Sequence, residues 1–112
     1  MKKLFIAAFM FVFSFTSNAS ADGHGLKMGI ILGFTGPIES LTPAMAASAE
    51  LAFKEASDSG SLLGGKYIEV IRADSTCVDS AAATAAAEGV IAQGVAAIMG
   101  ADCSGVTGAI AS

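Results

Sequence analysis

Leu26-Lys27-Met28-Gly29-Ile30-Ile31-Leu32-Gly33-Phe34-Thr35-Gly36-Pro37 is the stretch whose reading decides the fold. Met28, Ile30, Ile31 and Leu32 form a near-continuous apolar run rather than an alternating one. A strand with one wet face alternates. A strand covered on both faces does not, which is the pattern of a central strand in a parallel sheet. Gly29 and Gly33 permit close packing of a helix or loop, and Thr35-Gly36-Pro37 breaks the run as a turn. The first predicted strand therefore covers 26–34.

Downstream, the period changes. Thr42-Pro43 predicts a helix start, with Thr42 as cap and the proline in the first turn, where its missing N–H costs nothing. Met45, Ala49, Ala52, Phe53 and Ala56 recur at helical spacing on one face. Glu50 and Lys54 are spaced as an i,i+4 ion pair on the other. Gly60 is the expected stop. Leu63-Gly64-Gly65-Lys66 reads as a tight turn. Tyr67 to Ala73 reads as a second strand, interrupted by Glu69 and Arg72 and so expected nearer the sheet edge than the first. Asp79 or Ser80 caps an alanine-rich helix that runs to about Gln93, with Gly94 as its C-terminal signal and Gly89 as a weak point. Val95 to Met99 is a fully apolar third strand, Gly100 to Ser104 a turn, and a helix begins near Ser104. The order β-α-β-α-β-α implies an α/β fold with a parallel sheet, helices on both faces and right-handed crossovers.

The only two cysteines, Cys77 and Cys103, each follow a predicted strand. They stand in Asp74-Ser75-Thr76-Cys77 and Gly100-Ala101-Asp102-Cys103-Ser104-Gly105, on the rim where open α/β sheets bind ligands. Residues 1–21 carry the marks of an export signal. Lys2 and Lys3 form a positive start, Leu4 to Phe15 an uncharged and mostly apolar run, and Ala19-Ser20-Ala21 a small-x-small cleavage site, with cleavage expected after Ala21. The run is shorter than the roughly 20 apolar residues of a membrane span. No cysteine near the cleavage site suggests a lipid anchor. Export implies an oxidising compartment, where an even cysteine count favours a disulfide. A metal pair and a catalytic thiol are the alternatives. Two cysteines without histidine partners make a poor zinc site, and a bridged cysteine is no nucleophile.

Beyond residue 21 only Lys27, Lys54, Lys66 and Arg72 are basic. Four basic against ten acidic residues leave a net charge of −6. No basic patch exists, which argues against nucleic acid and anionic membrane surfaces as partners. After signal removal no direct membrane insertion is expected. Residues 22–112 suffice for a small core at the low end of domain size. Ala109-Ile110-Ala111-Ser112 reads as helix interior, so the chain is expected to be a fragment of a longer protein.

Four motifs in order, Thr35-Gly36-Pro37, Leu62-Leu63-Gly64-Gly65, Asp74-Ser75-Thr76-Cys77 and Gly100-Ala101-Asp102-Cys103-Ser104, resemble the N-terminal lobe of the periplasmic binding proteins of branched-chain amino acid ABC transporters, the leucine/isoleucine/valine-binding type. The resemblance covers essentially all of 22–112. It implies a Rossmann-like lobe of a type I periplasmic binding protein, here incomplete, whose ligand lies in a cleft against a second lobe. It also implies a disulfide matching Cys77–Cys103.

Ser104 is the leading ligand-binding candidate. It follows the third strand at a helix N-terminus, where unpaired N–H groups and the dipole favour an anion. The resemblance implies contact with the α-carboxylate of an amino acid. The alternative role is a simple N-cap. Thr107, one turn on, faces either the cleft or the lobe interior. The segment Thr35 to Thr42 forms another wall. There the resemblance puts Leu41 where the family often carries an aromatic over the ligand side chain, a departure that alters the pocket. Ser40 and Glu39 could reach a polar ligand, though Glu39 reads better as a solvated loop charge.

Asp74 at the end of the second strand could hold a ribose in a dinucleotide site. Gly33-Phe34-Thr35-Gly36-Pro37 lacks the G-x-G-x-x-G spacing, so loop backbone is its expected partner. His24, the only histidine, supports no Ser/His/Asp arrangement. No cofactor, metal or catalytic residue is expected. The expected role is periplasmic capture of an amino acid or similar polar solute for an ABC permease in the inner membrane. A sensory ligand-binding domain of the same fold and an exported α/β enzyme are the alternatives.

Overall fold

A computed structural model describes residues 25–112. The expected signal peptide 1–21, its cleavage site and His24 lie outside the described residues. The elements are β1 (Leu26–Leu32), α1 (Thr42–Asp58), a 3-10 turn (Leu62–Gly64), β2 (Ile68–Asp74), α2 (Ser80–Ala92), β3 (Ala97–Gly100) and α3 (Ser104–Ile110). The three strands form one parallel sheet in the order β2-β1-β3. Leu26 pairs with Ile68 and Leu32 with Asp74 on one side. Met28 pairs with Ala97 and Ile31 with Gly100 on the other. This is the Rossmann-like β-α-β-α-β-α arrangement that the alternation of patterns implied.

The unbroken apolar run of β1 has the reason proposed for it. Ile30, Ile31 and Leu32 are all buried. Ile30 and Leu32 face α1, packing with Ala46, Ala49, Phe53, Val70 and Met99. Ile31 faces the opposite layer, with Ala87 and Val90 of α2 and with Ile98 and Ile110. Burying each of these β1 side chains contributes about 1.5–3 kcal/mol. The chain leaves β1 for β2 over one face and crosses from β2 to β3 over the other. Reversing both the direction and the face keeps a single crossover hand.

Several local expectations shift. Leu41 is the N-cap of α1 and makes no side-chain cap bond. Thr42, expected as the cap, lies inside the first turn and is fully buried. Its hydroxyl donates to the Gly33 carbonyl at 3.1 Å, so it anchors the helix to the end of β1 instead. The helix is entered from a turn, with the Leu41 N–H donating to the Ile38 carbonyl at 2.9 Å. The buried stripe of α1 starts from Thr42 and Ala46, which leaves Met45 43% exposed. Glu50 does not pair with Lys54. It receives two hydrogen bonds from Arg72 of β2, at 2.6 and 2.8 Å, while Lys54 pairs with Asp58. An i,i+4 partner on the same helix loses to a bidentate guanidinium fork from the neighbouring strand.

The third strand begins two residues later than its apolar run. The Ala96 N–H still donates to the Lys27 carbonyl at 2.8 Å, but ladder pairing covers only 97–100. Gly100 (φ +130°) is obligatory there, because a Cβ would sit 1.9 Å from the Ile31 carbonyl oxygen. Asp79 caps α2, accepting from the N–H groups of Ala81 and Ala82 at 2.9 and 3.0 Å. Gly60 and Gly94 end their helices in the left-handed conformation.

Candidate functional site

The sheet order creates the site. The chain leaves β1 toward α1 on one face of the sheet and leaves β3 toward α3 on the other. Neighbouring parallel strands whose exits diverge leave a crevice at their carboxyl ends, and ligands of open α/β sheets bind at such switch points. The walls here are the loop 33–41 after β1 and the loop 101–103 with the first turn of α3.

Three ties make this rim rigid. The first is Asp74, at the end of β2. It accepts from the Thr35 hydroxyl at 2.6 Å, the Thr35 N–H at 3.3 Å and the Thr76 N–H at 2.8 Å. Partial burial of its carboxyl opposes ionisation. The hydrogen bonds from the Thr35 hydroxyl and from the backbone of Thr76, Thr35 and Phe34 outweigh it and hold the group below its ordinary value. The expectation that Asp74 bonds loop backbone therefore holds, with a hydroxyl added.

The second tie is Asp102, in the loop after β3. Its Oδ2 accepts from the Gly33 N–H at 2.9 Å and its Oδ1 faces the Ser75 hydroxyl at 3.5 Å. Ser75 is fully buried, and its N–H donates to the Leu32 carbonyl at 2.9 Å.

The third tie is covalent. Cys77 and Cys103 form a disulfide with Cα atoms 5.2 Å apart, joining the loop after β2 to the loop after β3. Thr76 and Cys77 both lie in the left-handed region, with φ of +58° and +69°. Such backbone costs on the order of 1–3 kcal/mol per residue and persists where surrounding structure over-determines it. The disulfide, the Asp74 bond to the Thr76 N–H, and the bond from the Asp79 N–H to the Thr76 hydroxyl at 3.0 Å supply that constraint. Gly36 (φ +98°) lets the β1 loop touch the same segment, since a Cβ there would meet the Thr76 carbonyl oxygen at 2.4 Å.

The residues singled out from sequence occupy this rim. Ser104 is the first residue of α3 and is exposed, while Cys103 takes the N-cap position. The cap position considered for Ser104 thus belongs to its neighbour, which makes no side-chain cap bond. Thr107 is half-buried, and its hydroxyl donates to the Cys103 carbonyl at 2.9 Å within its own helix. Ser40 and Glu39 are exposed in the turn before α1, and Leu41 at its end is 60% exposed. Ser40 and Leu41 therefore stand on one wall of the crevice, and Ser104 and Thr107 on the other.

Sequence reasoning missed the contacts by which Asp102, Thr35, Thr42 and Arg72 brace the walls. Arg72 binds Glu50 of α1 and lies 5.6 Å over the Phe34 ring, at the start of the first wall. Asp102 beside a strand end was visible as a loop acid. Nothing local marked Gly33, 69 positions away, as its partner.

A cavity of about 410 Å³ opens at the opposite edge of the sheet, between Leu26, Lys27, Leu63 and Gln93. The Lys27 ammonium there is already taken by the Gln93 carbonyl at 3.2 Å. That edge lies at the amino ends of the strands, away from the switch point, so the rim and not this cavity is the candidate site. Among the described residues, no helix is long and apolar enough to cross a membrane.

Comparison with known families yields a match over residues 25–112 to the family described as periplasmic binding protein. No curated protein matches the chain.

Proposed function

The chain belongs to the periplasmic binding protein family, and from that premise we propose that it is the solute-binding component of an ABC importer. On this reading residues 1–21 are an export signal, and residues 22–112 are the N-terminal part of the first of two lobes. The protein works in the periplasm and performs no covalent chemistry. It captures an amino acid, of the branched-chain type by resemblance, and delivers it to the inner-membrane permease.

The observation that carries the reading is the exposed Ser104 at the start of α3, beside the disulfide and on the switch-point rim. The first N–H groups of a helix have no partner within it. Those amides and a serine hydroxyl suit the α-carboxylate of an amino acid. Across the crevice, exposed Leu41 offers apolar surface to a side chain, and Ser40 offers a hydroxyl. Thr107, occupied within its own helix, supports the wall more than it reaches the solute. A second lobe closing on this rim completes the cleft.

The test is calorimetric titration of the full-length exported protein with each of the twenty L-amino acids, repeated with S104A. At least one amino acid binds, and S104A weakens that binding by about tenfold or more, equivalent to ~1.4 kcal/mol. No binding by any amino acid removes the amino-acid assignment. Unchanged affinity in S104A removes the serine contact.

A further inference from the structure

We propose that Asp102 is the positioning residue of the rim, fixing the Ser104 wall against the Ser40–Leu41 wall. Its consequence for affinity rests on the solute-binding reading; its structural role does not.

The reason lies in where the ladder stops. Pairing between β1 and β3 ends at Ile31 and Gly100. Beyond that point the two strands diverge into the two walls, and among the described residues no further backbone hydrogen bond joins those walls. The Asp102 carboxylate takes the place of the missing ladder bond, accepting the Gly33 N–H at 2.9 Å. A carboxylate acceptor makes a stronger bond than the carbonyl it replaces.

The connection continues from both ends. On one side, the Gly33 carbonyl accepts the buried Thr42 hydroxyl at 3.1 Å, and Thr42 directly follows Ser40 and Leu41. On the other side, Asp102 is covalently followed by Cys103 and Ser104, the N-cap and first residue of α3. A path of three peptide bonds and two hydrogen bonds thus runs from Leu41 to Ser104 across the crevice. Its second oxygen faces the Ser75 hydroxyl of the middle loop, which limits rotation of the carboxylate. The disulfide joins only the loops after β2 and β3. It reaches the β1 loop only through the Asp74–Thr35 bonds, whereas Asp102 ties the β1 and β3 loops directly.

Amide hydrogen exchange by NMR, on the ligand-free full-length protein, tests the placement. In D102A the Gly33 amide exchanges about tenfold faster or more, the scale expected for loss of its one hydrogen bond. The resonances of Leu41–Thr42 and of Ser104–Gly105 move together, while β1 and β2 amides keep their protection. D102N exchanges at a rate between wild type and D102A, because its amide oxygen still accepts from Gly33 but carries no charge. In the wild-type protein a scalar coupling across the hydrogen bond, between the Gly33 amide nitrogen and the Asp102 side-chain carboxyl carbon, reads the same contact and requires no variant to fold. Unchanged Gly33 exchange in D102A, protection lost evenly across the sheet, or absence of the Gly33–Asp102 coupling overturns the assignment. Calorimetry with L-leucine then separates this role from the function. D102A and S104A are expected to be non-additive, since one acts through the other. Failure of the wild-type protein to bind leucine counts against the branched-chain reading, while the exchange data decide Asp102 on their own.

Discussion

The Thr35 hydroxyl donates to Asp74 Oδ2 at 2.6 Å, fastening the loop after β1 to the end of β2. Two backbone N–H groups, from Thr35 and Thr76, share the same carboxylate. This bond set makes the ionised form of Asp74 the one the fold requires.

A pH dependence follows from the lowered pKa of Asp74. A carboxylate held below its unfolded value contributes stability above that value, about 3.9 for aspartate. The contribution is lost as pH falls through the folded value. D74N is expected to lose about 1.5–3 kcal/mol near pH 7, the order of one hydrogen bond to a charged acceptor. Its deficit should shrink as the pH drops below 4. Urea unfolding of both proteins across pH 2–7 measures this, and parallel curves would count against it.

The disulfide between Cys77 and Cys103 closes a loop of 26 positions. In the chain-entropy account a loop of that size stabilises the fold by roughly 3–4 kcal/mol. The unreduced, denatured protein should show no reactive thiol. The double variant C77A/C103A should melt many degrees lower, because Thr76 and Cys77 lose the constraint that holds their left-handed backbone. Two titratable thiols in the native protein would refute the bridge.

Arg72 and Glu50 form a bidentate pair with side chains 44% and 35% exposed. Its hydrogen bonds with Arg72 lower the Glu50 pKa; burial opposes them, and the charge of the cation adds to the lowering. Solvent screening keeps the contribution of such an exposed pair small. R72K should not restore the loss seen in R72A, because an ammonium cannot reproduce the planar fork or its stacking on Phe34. The effect should fade in 1 M salt. Equal stability of R72K and wild type at low salt would contradict this.

Gly89 lies inside α2, and a Cβ built on it meets nothing within 4 Å. G89A is therefore expected to stabilise the protein by about 0.5–1 kcal/mol. G100A should instead fail to form the β1–β3 pairing, since its Cβ would overlap the Ile31 carbonyl. Thermal melts and soluble yield distinguish the two. A destabilised G89A would mean that α2 packs differently.

The sequence by itself determined the fold class, the element order and the central place of β1. These follow from local physics. Ile30, Ile31 and Leu32 in succession require cover on both faces, and Asp79, Gly60 and Gly94 act through their own backbone neighbours. It also brought Ser104 and both cysteines to the turns after strands, because turns after apolar runs are visible without knowing what the runs pair with. Only the tertiary structure decided who bonds to whom. Thr42 became an anchor instead of a cap because Gly33 offers it a carbonyl. Glu50 chose Arg72 over Lys54 because β2 lies beside α1. Asp102 found Gly33 because β3 lies beside β1. Each of these contacts joins residues on different elements, so its energy depends on sheet order and register, which no local pattern encodes.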